Sequence, residues 1–340
     1  MNQIAVLTGE LTISWNSVVI TLGLLCGLVL ALALYRGRNQ SGAAVWLCFV
    51  LSFVIGVFVS RLLHWYFNAS VYTGFKQAMT DWNVGSFCLP GMIIAFWPAA
   101  WLVTRTGLAR SRGQLLDAFA PGLALAIGFI RLSALFDVSC RSRIVFKSRF
   151  LQTLPFASPT TDMAGNVTWR FATFFVEFIL LMLLTILLLD LYFRRGGKRM
   201  KEPCASSGNI WRLFLVFYGA IEIIMDSTRY DSPLLHFRVI SYLNQYSAFI
   251  SLAQIFAAAC ALGVLIYYVS RSVKANGFKL YHLLLWVLFI GSLVVIGYLG
   301  EYKVQRTAEY LRCYSLMAAG CLGMALAPYW AYRSCLSRRY

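Results

Sequence analysis

Apolar runs of about twenty residues, separated by short polar or basic stretches, recur along the chain and centre near Gly23, Phe53, Phe96, Ala126, Met182, Phe217, Ala257, Leu288 and Gly323. A bilayer core about 30 Å thick is crossed by about 20 residues of helix, so the pattern predicts an all-α, polytopic integral membrane bundle of about nine transmembrane helices. Two runs differ from the rest. The one around Phe96 holds Pro90 and Pro98, and the one around Phe217 holds Glu222 and Asp226. Both are expected as broken or partly re-entrant helices, which lipid tolerates only where protein or a wet cavity covers the freed backbone.

Cytoplasmic loops retain an excess of Lys and Arg, and this sets an orientation. Placing the N-terminus outside puts Arg36, Arg38, Arg105, Arg110, Arg112, the run Arg194 to Lys201, Arg212, Arg271, Lys274, Lys279, Arg333, Arg338 and Arg339 on the inner side. Residues 1–35 hold no Lys or Arg, so they lack the basic segment of a cleavable signal peptide and the first span is expected as a retained anchor. The outer loop from Asp137 to Trp169 is rich in Pro, Ser, Thr and Gly and is expected as turns rather than helix. Residues 1–272 are expected as one membrane domain, with 273–340 as an appended transmembrane hairpin that lacks the buried-charge pattern.

Composition agrees with this class: 60% of the 340 residues are hydrophobic, more than one soluble globule of this size needs to bury. The formal charge of +17 is spread over short loops, with no soluble domain to carry a basic face. Nucleic acid is therefore not an expected partner; anionic lipid headgroups are. Nine cysteines form no CxxC pair and there are three histidines. Neither a metal site nor a disulfide framework is indicated, and no cofactor is expected.

Chemistry is signalled by charge inside the apolar runs, because an ionised side chain in a span costs at least about 2.5–3.5 kcal/mol. Arg131 and Asp137 lie at the outer end of the fourth span and Glu177 lies in the fifth. In the sixth, Glu222, Asp226 and Arg229 share one helical face through spacings of four and three. If these spans pack together, arginines and carboxylates converge near the outer surface. Guanidinium is suited to phosphate through paired, charge-assisted hydrogen bonds, so an anionic headgroup is the expected ligand, with Arg131, Arg143 and Arg229 as phosphate-binding candidates. The alternative is a set of structural ion pairs.

The same residues carry a resemblance to the bacterial prolipoprotein diacylglyceryl transferases. That family's signature, Gly-Arg-Ile-Gly-Asn-Phe-x-Asn-Gly-Glu-x-x-Gly-Arg, falls on "IRLSALFDVSCRSR", with Arg131 at the essential arginine, Arg143 at the closing one and Asp137 at the second Asn. The stretch "RFATFFVE" is similar to Arg-His-Pro-Thr-Gln-Leu-Tyr-Glu and keeps Arg170, Thr173 and Glu177. "YGAIEIIMDSTR" resembles Tyr-Gly-x-x-Arg-Phe-x-x-Glu-x-x-Arg, keeping Tyr218, Gly219 and Arg229, with Asp226 for Glu and Glu222 where Arg is usual. "AQIFA" keeps Gln254 of a Gly-Gln-Ile-x-Ser pattern. The resemblance covers roughly residues 15–270 and implies a multi-pass protein of the bacterial plasma membrane. The implied reaction moves a diacylglyceryl group from phosphatidylglycerol to the thiol of a lipoprotein signal peptide.

It further implies Arg131, Arg229, Asp137, Asp226 and Glu177 as catalytic candidates, with Tyr218, Gly219, Glu222, Gln254 and Cys88 in support. Departures fall on the chemistry. Where the family carries a His in Ser-Phe-His-Gly-Gly-Leu, this chain reads "SFCLPGMIIAF", with Cys88 or Leu89 at that place; Ala134 and Ser139 replace a signature Asn and Glu. Two readings stay open: a divergent transferase on phosphatidylglycerol or a related anionic lipid, and a catalytically silent relative that binds anionic lipid or a membrane partner. A third reading, an unrelated transporter or channel, lacks a visible internal repeat.

Overall fold

The computed structural model describes residues 4–8, 11–67, 74–80, 88–136, 142–161, 166–196, 208–229, 250–304 and 309–336. In chain order the elements are β1 (Ile4–Thr8), β2 (Leu11–Ser14), α1 (Trp15–Arg36), α2 (Gly42–Phe67), α3 (Phe75–Thr80), α4 (Leu89–Arg105) and α5 (Arg112–Leu132). They continue with α6 (Arg149–Gln152), β3 (Ala157–Thr161), β4 (Val167–Phe171), α7 (Thr173–Gly196), α8 (Asn209–Thr228), α9 (Leu252–Asn276), α10 (Leu280–Tyr298) and α11 (Tyr310–Leu336). Each of the nine apolar centres falls inside one long helix. Seven of these, α1, α2, α5, α7, α9, α10 and α11, are long and apolar enough to cross a membrane. The other two are the runs marked as unusual: α4 has 17 residues, and α8 has 20 that include Arg212, Glu222 and Asp226.

Neither α4 nor α8 is broken, which corrects that expectation. Pro90 sits at the start of α4, where its missing N–H costs nothing, and Pro98 lies within a helix that continues to Arg105. The helix α8 tolerates its charges by facing protein: most of its residues, Trp211, Phe214, Tyr218, Glu222 and Asp226 among them, are buried. It runs parallel to α5 over the same depth. At one end the Asp117 carboxylate of α5 accepts hydrogen bonds from Gly208 N at 2.7 Å and Trp211 N at 2.9 Å, capping the start of α8; at the other end Arg131 meets Glu222.

Two back-to-back glycines bring α1 against α5. A Cβ on Gly122 would lie 2.3 Å from the Gly27 carbonyl oxygen, so only glycine permits this approach. Tyr192 of α7 donates to the Leu34 carbonyl at 2.9 Å, fixing α7 against α1 at the end away from Arg131. The outer loop corrects the expectation of turns alone: β3 and β4 pair in antiparallel register from Ala157↔Phe171 to Thr161↔Val167. The preceding segment from Ser142 to Phe146 forms a strap on the end of α8, through Arg143 N to Thr228 O at 2.9 Å and Ser142 Oγ to Thr228 O at 3.0 Å.

The pair α10–α11 packs on α8 and α9 around one apolar core that includes Val216, Ile223, Leu265, Phe289, Met317 and Met324. Polar ties reinforce both ends. Tyr314 donates to Ser227 O at 3.0 Å, and at the opposite end buried His282 bonds Ser272 Oγ at 3.0 Å. The Lys279 N–H donates to His282 Nδ1, which leaves Nε2 as the protonated nitrogen that donates to Ser272. With that tautomer the pair joins α10 to α9 and is not arranged for a general base.

Candidate functional site: a carboxylate–guanidinium cluster beside an apolar cavity

The cluster is assembled from three helices. Arg131, on the last turn of α5, donates from Nε to Glu177 Oε1 of α7 at 2.7 Å and from Nη2 to both oxygens of Glu222 of α8, at 2.8 and 3.0 Å. Arg229, at the end of α8, donates to the other Glu177 oxygen, to Glu222 Oε1 at 3.3 Å and to Asp226 Oδ1 at 3.2 Å. Tyr218, one turn below, donates to Glu222 Oε2 at 3.0 Å. The expected convergence of arginines and carboxylates is therefore present, with Glu177 and Glu222 each shared by both guanidiniums. Side-chain exposure falls from 11% at Arg131 to 0% at Glu177. Such a group persists away from water only because its charges are paired with one another and hydrogen-bonded.

The sequence determines why they meet. Glu222, Asp226 and Arg229 recur at helical spacing on the face of α8 that packs on α5 and α7. Gly219 lets that helix approach Ala257 of α9, which a Cβ would meet at 3.1 Å. Gln254 completes a capping box with Ser251 at the start of α9 and donates from Nε2 to Ile223 O at 3.0 Å, tying α9 to α8 beside the cluster. Arg170 reaches Ser142 O at 3.0 Å, and Thr173 bonds Thr228 through their hydroxyls at 2.9 Å, so both anchor the strap and the end of α8.

Beside the cluster lies a cavity of ≈770 Å³ between α1, α2, α4 and α5, walled by residues such as Leu24, Phe53, Met92, Phe119 and Ile127. Among the described residues that line it, Arg131 alone is charged. Largely apolar walls with one charged anchor suit a ligand with hydrocarbon chains and a charged group. Arg229 is not among the lining residues; it stands behind Glu177 and Glu222. It therefore acts on the cavity through the carboxylates that hold Arg131.

The remaining candidates are dispersed. Asp137 lies outside the described residues. Cys88 precedes α4, and its carbonyl accepts from Ser60 Oγ at 2.9 Å. Arg143 sits on the strap, half-buried, with its backbone N–H bonded to Thr228 O at the end of α8 and no ion pair to the cluster among the described residues. Two buried charges escaped the sequence reading. Arg61, 3% exposed, lies in α2, and Asp117, 5% exposed, caps α8. Arg61 interrupts the apolar run "FVSRLLHWYF", which is a legible signal. Asp117 sits near the polar start of its run and was not separable from an interfacial residue.

Comparison with known proteins places these residues in context. Residues 3–270 match the family model described as prolipoprotein diacylglyceryl transferase. The chain is 27% identical over 236 residues to the phosphatidylglycerol–prolipoprotein diacylglyceryl transferase of Lactococcus lactis subsp. lactis, covering 69% of this chain and 85% of the relative. It is 23% identical over 264 residues to the protein of the same name from Streptococcus equi subsp. equi, covering 75% of this chain and 95% of the relative.

Proposed function

Because the chain belongs to the prolipoprotein diacylglyceryl transferase family, we propose that it is a divergent member acting in the bacterial plasma membrane. In this reading it transfers the diacylglyceryl group of phosphatidylglycerol, or of a related anionic lipid, to the thiol of an acceptor such as a lipoprotein signal peptide. The observation that carries this is the double role of Arg131: it is a wall of the apolar cavity and it is gripped by Glu177 and Glu222. The acyl chains occupy the cavity and the lipid phosphate meets the Arg131 guanidinium. The basic residues at the opposite end of the bundle, Arg36, Arg105, Arg112, Arg271 and Lys279 among them, support a cytoplasmic placement of that end and an outer placement of the cluster.

In the reaction, the acceptor sulfur forms a bond to the terminal glyceryl carbon of the diacylglyceryl group as the bond from that carbon to the phosphate oxygen breaks. Glycerol phosphate leaves with the electron pair. Arg131 stabilises the negative charge that grows on the departing phosphate. Glu177 and Glu222 have both oxygens engaged by arginine or tyrosine, so they orient Arg131 rather than accept a proton. The thiol proton leaves on the phosphate monoester, whose second ionisation lies near pH 6. That step requires no histidine where the family has one.

One observation favours a second reading. Glu222 stands where the family motif carries arginine, so the cluster sets three carboxylates against two guanidiniums. A lipid-binding relative without transfer fits that charge balance. Purified protein in phosphatidylglycerol vesicles, given a peptide with a lipobox cysteine, decides between them. Thioether-linked product that disappears in Arg131→Ala is the expected result. Arg131-dependent retention of phosphatidylglycerol without product establishes the second reading instead. Neither product nor retention by a folded protein overturns both.

A further inference from the structure

A second cavity, of ≈880 Å³, lies across α8 from the cluster. Glu222, Asp226 and Arg229 share one face of that helix; Ile224 and Thr228 turn away from it and, with Met225 at the flank between the two faces, form the cavity's inner wall. Its outer walls are the strap, through Ile144 and Phe146, the short helix α6, through Leu151, and the start of α11, through Tyr310, Leu311 and Tyr314. The α11 residues lie beyond residue 270, outside the part of the chain that matches the family. The segment after the family match thus supplies a wall of this cavity.

The mouth has a distinctive chemistry. Of its lining residues Leu311 is 87% exposed, and Val145 and Leu151 are also exposed; Phe150, next to Leu151 in the chain, is 73% exposed. Along residues 143–151 the apolar side chains alternate with Arg143, Lys147 and Arg149. Across the mouth stands Arg312, whose neighbour Glu309 is 3.9 Å away in a solvent-exposed pair that contributes little. Arg143 is held beside the cavity by its backbone N–H, which donates at 2.9 Å to the carbonyl of Thr228, a wall residue. Outward apolar groups interleaved with basic ones are what the surface of an anionic leaflet attracts. Behind them, apolar walls suit hydrocarbon, and arginine forks suit a phosphate diester.

We propose that this cavity is a second lipid site, holding the acyl chains of an anionic diacyl phospholipid from the adjoining leaflet with its phosphate at Arg143 and Arg312. It shares with the transfer reading only the placement of this end of the bundle at a membrane surface. It stands whether or not transfer occurs at Arg131. The apolar hairpin then has a role, because α11 completes a site that α8 and the strap alone leave open.

The test uses the full chain in nanodiscs containing phosphatidylglycerol with a diazirine at the end of one acyl chain. After irradiation, adducts are mapped by peptide mass spectrometry. Adducts are expected at Met225, Leu151 or Leu311, separate from those at Phe53, Met92 or Phe119 of the first cavity. The double variant Arg143→Gln/Arg312→Gln alters only half-buried or exposed charges, and it is expected to lower the second set about tenfold while the first set remains. Diazirine-labelled phosphatidylcholine is expected to label the second cavity about tenfold less than phosphatidylglycerol. Adducts confined to the first cavity overturn the proposal. So does equal labelling by the two lipids, or labelling of the second cavity by a diazirine-bearing apolar peptide alone. Adducts in the second cavity without any in the first support this site and remove the transfer reading.

Discussion

Glu222 grips Arg131 with both carboxylate oxygens, at 2.8 and 3.0 Å, at the position where the signature this chain resembles has an arginine. Around Arg131 and Arg229 the acids Glu177, Glu222 and Asp226 outnumber the guanidiniums.

Replacing Glu222 by Gln keeps a hydrogen-bonding group at Arg131 and removes one negative charge. The variant is expected to lose about 1–3 kcal/mol of stability, since an ionic bond network becomes partly neutral, yet to hold phosphatidylglycerol more tightly. Thermal unfolding in detergent and a lipid-retention assay measure the two effects. A fall in lipid affinity contradicts the charge argument.

Arg131 and Arg229 share Glu177 and Glu222, so their contributions are not independent. A double-mutant cycle with Arg131→Gln and Arg229→Gln is expected to show a coupling of about 1–3 kcal/mol in unfolding free energy. Additive losses indicate that the two arginines do not depend on the same acids.

At the crossing of α1 and α5, Gly122→Ala places a methyl 2.3 Å from the Gly27 carbonyl oxygen. The helices must part there, at an expected cost of about 1–3 kcal/mol. Both glycines line the first cavity, so its shape changes as well. Reduced retention of a lipid with diazirine-labelled acyl chains is the accompanying readout.

Asp117→Ala removes the acceptor that receives the Gly208 and Trp211 amides. These donors are left without their partner, which costs about 1–3 kcal/mol. Hydrogen exchange is expected to accelerate at the first turn of α8 while the amides around Glu222 change less.

The helical bundle was legible in the chain because lipid imposes a length on apolar segments: all nine centres lie in the helices they announced. Charge within those segments pointed equally well to the cluster, since Glu222, Asp226 and Arg229 are related by spacing on one helix. Spacing stops at the helix edge. That Glu177 reaches both arginines, or that Arg229 stands behind Arg131 rather than beside it in one cavity, depends on how α5, α7 and α8 pack. The paired strands β3 and β4 were hidden for another reason: Pro159 and the polar residues around it match turn chemistry locally, and pairing across the sheet overrides that preference. The cavities were likewise invisible, being spaces between elements far apart in sequence.

The hairpin leaves its neighbours at the His282–Ser272 contact and returns to the same side at Ser334, 3.5 Å from Ser272. An excursion of this kind has even parity: it crosses out and back, so it reverses the direction of nothing that precedes it. The path of α1 to α9 is therefore the same with or without it. Changes to the wall that α11 gives the second cavity leave the residues at Arg131 untouched.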